Sequence, residues 1–212
     1  MLHKETIDLK TLELLSELQK EPLMQTFNLV GGTALALRLG HRKSIDLDFF
    51  TSESFDLEEL RSMLVEKYDF KISYARSQTL KGFINGIKID LIKFNYPHLF
   101  PCDVIDGIRL ESVPDIIAMK LLSITDNGSR IKDFIDIAFL SSYYSLEEML
   151  DFYVKKIPNS NKLMPLKALT YFNDININES VVMMSGDFNW QKIADHLHQM
   201  TENSDKLIPH NQ

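Results

Sequence analysis

Two aspartates two residues apart, Asp46 and Asp48, stand in the apolar run Ile45-Asp46-Leu47-Asp48-Phe49-Phe50. Side chains on a strand alternate between faces. Both carboxylates therefore share one face, roughly 6.5–7 Å apart, while Ile45, Leu47 and Phe49 take the other and can be buried. Such a pair on the polar face of a half-buried strand suits a hard divalent cation. Upstream, Phe27 to Val30 is a short strand pattern that ends at Gly31-Gly32, and a helical pattern runs from Thr33 to Leu39. Strand, glycine turn and helix N-terminus present backbone N–H groups and the positive end of a helix dipole to an anion. Alone, the same glycines also make a tight turn. Arg38, His41, Arg42 and Lys43 lie between the two motifs, where an anionic substrate is wanted; a solvated basic turn has the same composition.

Further along, Asp90 interrupts the strand pattern Ile87 to Phe94, with Ile87, Ile89 and Leu91 on one face and Lys88, Asp90 and Ile92 on the other. An acid there is unfavourable unless it meets solvent or a cation. Asn85-Gly86 marks a hairpin turn before it. Antiparallel strands with carboxylates on the first and last bring Asp90 beside Asp46 and Asp48. Three bare carboxylates repel one another, so this cluster predicts bound Mg²⁺ or Mn²⁺. Two such ions about 3.5–4 Å apart suit in-line phosphoryl or nucleotidyl transfer. Alone, Asp90 also reads as an exposed edge-strand acid. Lys120 projects from the edge of the apolar stripe Ile117, Leu121 and Ile124, either snorkelling to the surface or aimed at phosphates. Lys132 and Asp136 have the i,i+4 spacing of a surface ion pair. Asp133 shares a face with Ile137 and Leu140, which fits a positioned, partly buried acid.

The elements that must position these groups follow in order. Residues 4–20 have helical spacing, and Asp56 to Tyr68 starts with a capping-box pattern at Asp56 and Glu59. Phe70 to Arg76 and Thr79 to Phe83 read as strands. From Ser112 the chain turns helical, with starts at Ser112-Val113-Pro114-Asp115, Arg130 and Ser145, then short helices over Pro165 to Phe172 and Trp190 to Met200. His196-x-His198 does not present both rings on one helical face, so it is not a metal pair. The tail 201–212 is polar and predicts fraying.

With 212 residues, 44% of them hydrophobic and 25% charged, the chain can bury a substantial core. The net charge of −7 argues against wholesale charge-driven coating of nucleic acid, but not against a local basic patch. One cysteine excludes an intrachain disulfide and a cysteine-rich zinc site. There is no run long enough to span a membrane and no signal-peptide pattern, which together favour the cytoplasm. P-loop and dinucleotide-binding glycine motifs are missing from the sequence.

In their order, Gly31-Gly32, Asp46-x-Asp48, Asp90, Lys120-Leu121 and Lys132-Asp133-x-x-Asp136 resemble the AbiEii/AbiGii toxin family of minimal nucleotidyltransferases, over roughly residues 25–141. The resemblance implies an α+β fold. A nucleotidyltransferase-like mixed sheet flanked by helices occupies 1–110, and a helical C-terminal region, 111–212, packs on it and completes one cleft. It also implies transfer of a nucleoside monophosphate from an NTP to an acceptor hydroxyl on tRNA or protein. Gly31, Gly32 and Thr33 would cradle the triphosphate, with Arg42, Lys43 and Ser44 as further substrate contacts. Asp46, Asp48 and Asp90 would hold Mg²⁺ or Mn²⁺, Lys120 would meet phosphate, and Asp133 or Asp136 would orient Lys132 or the acceptor. An antitoxin is the implied partner. Two alternatives remain. One is a catalytically inactive nucleotide-binding or partner-binding module of the same fold. The other is a metal-dependent phosphohydrolase, which explains the carboxylates but not the glycine–helix element.

Overall fold

The computed structural model describes residues 1–210; positions 211 and 212, the end of the predicted frayed tail, lie outside the described residues. The chain divides into two compact units. One holds Met1–Pro97 with Pro101–Glu111, and the other holds His98–Phe100 with the chain from Ser112 onward.

The first unit carries the whole sheet. Its elements are α1 (Leu9–Leu18), β1 (Asn28–Leu29), α2 (Gly31–Leu39), β2 (Leu47–Thr51), α3 (Leu57–Tyr68), β3 (Lys71–Arg76), β4 (Thr79–Ile84), β5 (Ile87–Lys93), β6 (Asp103–Ile105) and β7 (Ile108–Leu110). The strand order is β3-β4-β5-β2-β1-β7-β6. β2 runs parallel to β5 and β1 parallel to β7, and the remaining neighbours are antiparallel, so the sheet is mixed. Together with the helices this is the expected α+β class. The predicted helix over 4–20 is instead a 3-10 turn, Lys4–Thr6, followed by α1. The extended backbone of Asp8 makes it the N-cap and restarts the helix. Asp56 caps α3 as its spacing predicts, accepting from the N–H groups of Glu58 and Glu59. β6 and β7 went unread in the sequence, although Asp106-Gly107, both at positive φ, is a two-residue hairpin signal.

One face of the sheet is the core face. Leu47 and Phe49 on β2, Ile89 and Leu91 on β5, and Leu80 and Ile84 on β4 are fully buried. Burying each of these large side chains is worth about 1.5–3 kcal/mol. Leu60 and Leu64 of α3 are buried too, and the Phe70 ring fills the space beside Gly82 where a β-carbon would stand. The opposite face displays Asp48, Phe50, Lys81, Phe83, Lys88, Asp90 and Ile92. The aspartate strand begins at Leu47 rather than Ser44, so Asp46 precedes the ladder. Ile45, expected on the buried face, is 63% exposed because it lies before the strand and escapes its alternation.

The second unit is helical: α4 (Val113–Asp126), α5 (Ile131–Leu140), α6 (Leu146–Lys156), α7 (Leu163–Ala168) and α8 (Trp190–Glu202). Ser112 caps α4, Ser145 and Glu148 form a reciprocal capping box on α6, and Asn189 caps α8. Phe134 meets Phe172 and Trp190 edge-on at centroid distances of 6.0 and 6.1 Å. The tail is tied down as far as residue 210, against the expected fraying. The Ile208 N–H donates to the Ser141 carbonyl at 3.0 Å, and the His210 ring lies 4.2 Å from that of Phe139. No helix among the described residues is long and apolar enough to cross a membrane.

Candidate active site

In the first unit, the turn between β1 and α2 and the start of β2 form one piece. The Val30 N–H donates to the Asp48 carbonyl at 2.9 Å. Gly31 opens α2 at φ +68°, in the left-handed region, and a β-carbon there would stand 2.9 Å from Asp48 Oδ2. A side chain at this position is thus opposed by both backbone conformation and space. The first N–H groups of α2 have no acceptor within the helix. The Asp48 carboxylate therefore sits beside the positive end of a helix dipole.

Gly32 is bare for a different reason: the Arg42 guanidinium occupies the space its β-carbon would take. Arg42 is 2% exposed and donates from Nη1 to the Lys43 carbonyl at 3.1 Å. The predicted basic cluster is accordingly not a solvated turn. His41 is buried as well, and Arg38 pairs with Asp103 at 2.7 Å and donates to the Glu111 carbonyl at 2.9 Å. Lys43 is exposed, with Nζ 2.5 Å from the Glu5 carbonyl. The Thr33 hydroxyl is buried, 2.8 Å from Ser44 Oγ and bonded to the Asp46 carbonyl.

Asp48 and Asp90 are register partners on the parallel β2–β5 pair. Parallel partners present their side chains on the same face of the sheet. Asp90 is 5% exposed, so it is not an exposed edge acid. Its Oδ2 meets Lys81 Nζ at 3.0 Å and Lys88 Nζ at 3.4 Å. Its Oδ1 is buried with no hydrogen-bond donor among the described residues. Two lysines thus answer one oxygen and leave the other, and a hard cation is the natural counterpart of that remaining oxygen. The sequence reading missed these lysines, although the Asn85-Gly86 hairpin contained the signal. Pairing Ile84 with Ile87 sets Lys81 opposite Asp90.

In the second unit, Lys120 is buried and neither snorkels nor stands free. Its Nζ lies 2.6 Å from Asp133 Oδ1 and 2.7 Å from Asp136 Oδ2. Ser123 Oγ donates to Asp133 Oδ2 at 2.7 Å. Lys132 pairs with Glu179 at 3.0 Å rather than with Asp136, the i,i+4 alternative. A second buried pair, Lys156 with Asp115 at 2.5 Å, had no local sequence signal. Burial pushes the Asp115 carboxyl up. The Lys156 ammonium, the Ser112 hydroxyl and the Leu99 N–H outweigh it and hold the group below the usual range.

The family model for the nucleotidyl transferase AbiEii toxin of type IV toxin–antitoxin systems matches residues 13–70 and 84–208. The chain belongs to the AbiEii family of nucleotidyltransferase toxins. An uncharacterized protein of Aquifex aeolicus is 34% identical over 154 residues, 70% of this chain and 74% of its own length. MenT4, a nucleotidyltransferase toxin from Mycobacterium tuberculosis, superposes with a TM-score of 0.62 at 15% identity, covering 94% of this chain and 84% of MenT4. JHP933 from Helicobacter pylori gives a TM-score of 0.57 at 19% identity, covering 93% and 92%. At such identities these two structures speak for the fold. As an AbiEii-family chain, the protein is a nucleotidyltransferase, a class that generally uses a divalent metal. The Asp48–Asp90 pair and its unanswered oxygen fit that requirement.

Proposed function

We propose that this AbiEii-family chain moves a nucleoside monophosphate from an NTP to an acceptor hydroxyl on RNA or protein, as the toxin of a toxin–antitoxin pair. The observation that carries the reading is the placement of the Asp48 carboxylate. It stands beside the Gly31 backbone at the N-terminus of α2 and in register with Asp90. Phosphate oxygens are received by the N–H groups of Gly31 and Gly32, with the Thr33–Ser44 contact fixing the turn and Arg42 and Lys43 adding positive charge. Asp46, Asp48 and Asp90 hold Mg²⁺ or Mn²⁺. When bound, the metal neutralises charge on the transferring phosphoryl group. The acceptor oxygen bonds to the α-phosphorus, the bond to the β-phosphate bridge breaks, and pyrophosphate leaves. For Lys120, Lys132, Asp133 and Asp136, the family resemblance is the support for a part in activity; their contacts also describe an ion network that holds the second unit together.

Labelled NTPs incubated with the protein, Mg²⁺ and total tRNA or protein test the proposal. Incorporation from at least one NTP is expected, and Asp48→Asn is expected to lower it at least 100-fold without lowering Tm, on the order of one lost oxyanion or metal contact. Failure of all four NTPs under conditions where Mg²⁺ binds would overturn it. The salt bridges of Lys81 and Lys88 to Asp90 favour the second reading, a nucleotide-binding module without turnover, because they compensate that carboxylate with no metal. Calorimetry showing NTP binding without any transfer is the result that selects this module.

A further inference from the structure

The outer strands of the sheet carry a pattern that the transfer site does not use. The ladder registers line up three rows on the face of Asp48 and Asp90. The first is Lys71, Phe83 and Lys88; the second is Tyr74, Lys81, Asp90 and Asp48; the third is Arg76, Thr79, Ile92 and Phe50. Cations and aromatics alternate within and between rows. Tyr74 is 47% and Phe83 42% exposed, and every residue of β3 is exposed. The side chains of Lys71, Lys81 and Lys88 are 71%, 37% and 43% exposed. Four cations, Lys71, Arg76, Lys81 and Lys88, thus stand on this patch against one buried carboxylate, Asp90, in a chain whose net charge is −7. A bulge between Ile72 and Tyr74 keeps Tyr74 opposite Lys81. The middle row leads from Tyr74 to Asp48 across three strand spacings, about 14 Å.

We propose that this face is a platform for the single-stranded end of a nucleic-acid acceptor. Tyr74 and Phe83 offer ring faces for bases to stack on, and Lys71, Arg76 and Lys88 meet the phosphates. Exposed rings interleaved with cations are what unstacked bases on a polyanionic backbone require. A duplex keeps its bases stacked and gains only the phosphate contacts. The row ends at the candidate metal carboxylates, so a strand lying along it delivers its terminal hydroxyl to them. In that role, though not in its binding, the platform rests on the transfer reading. The match to the family model breaks over residues 71–83, which are β3 and most of β4. The platform therefore belongs to the stretch that this chain does not share with the model.

The test is fluorescence anisotropy with labelled single-stranded RNA and DNA of about ten nucleotides, within the site sizes of stacking platforms. The same RNA as a duplex is the comparison, and neither NTP nor metal is present. The whole protein should prefer single strands, and comparison of the RNA and DNA arms says which the face takes. Tyr74→Ala and Phe83→Ala should each weaken binding ~5- to 100-fold with Tm and NTP affinity unchanged. Arg76→Gln should reduce the salt slope by about one unit. Equal binding of duplex and single strand, or alanine variants that fold and bind as the parent does, would overturn the proposal. Loss of RNA binding with NTP incorporation absent in every variant and the parent counts against transfer, not against the platform.

Discussion

At the scale of single residues, Gly31 does two things that no other residue does together. It holds a left-handed backbone at the head of α2 and leaves room for the Asp48 carboxylate. Gly31→Ala must accept both the φ penalty and the contact. It should cost about 1–3 kcal/mol, read as a fall in the urea midpoint without a change in slope, with weakened NTP binding. The pairing of Asp90 is the finding that most changes the residue-level picture. A lone acid in an apolar strand points to a cation, and the protein supplies two of its own in Lys81 and Lys88 while leaving Oδ1 open.

Among the elements, α4 is where charge is buried deepest. It contributes Asp115 to Lys156 of α6, and Lys120 to Asp133 and Asp136 of α5. Removing one partner of such a pair leaves an uncompensated charge. Lys156→Met or Lys120→Met is expected to destabilise by about 3–5 kcal/mol in denaturant melts. Lys132→Met, which breaks a half-exposed pair with Glu179, should cost less than about 1 kcal/mol. The caps and periodicities that start α3, α4, α6 and α8 were legible in the sequence because a helix signs its ends locally. So was the shared face of Asp48 and Asp90, which follows from strand alternation. Some features were not legible. The three-residue β6 and β7 are too short for an alternating pattern to register. The Lys156–Asp115 pair joins positions 41 residues apart, so no window contains it. The place of Arg42 over Gly32 depends on how the turn folds back on α2. Ile45 misled because alternation was extended one residue-pair beyond the ladder that enforces it.

For the molecule as a whole, acid should act in two stages, both in the helical unit. His196, half-buried on α8 with Nε2 2.7 Å from Ser141 Oγ, is pushed down by burial, against a smaller upward pull from the Ala138 backbone. Its folded pKa lies below the unfolded one, so the unfolded chain takes up the proton first. Stability should begin to fall as pH drops below about 6.5. Asp115 is also depressed, and its contribution is present above about pH 3.9 and lost below it. Melts across pH 3–8 check both stages. His196→Gln should remove the first, and a Tm that stays flat from about pH 7 to 5 would contradict it. At the other end of the chain, the Thr33 hydroxyl joins the first turn of α2 to Ser44 and to the carbonyl of Asp46. The phosphate-facing turn and the carboxylate-bearing strand are thereby ordered when the chain folds, before any ligand arrives. A nucleotide would then meet a receptor whose loss of freedom is already complete, and the entropy of assembling the site belongs to folding rather than to recognition.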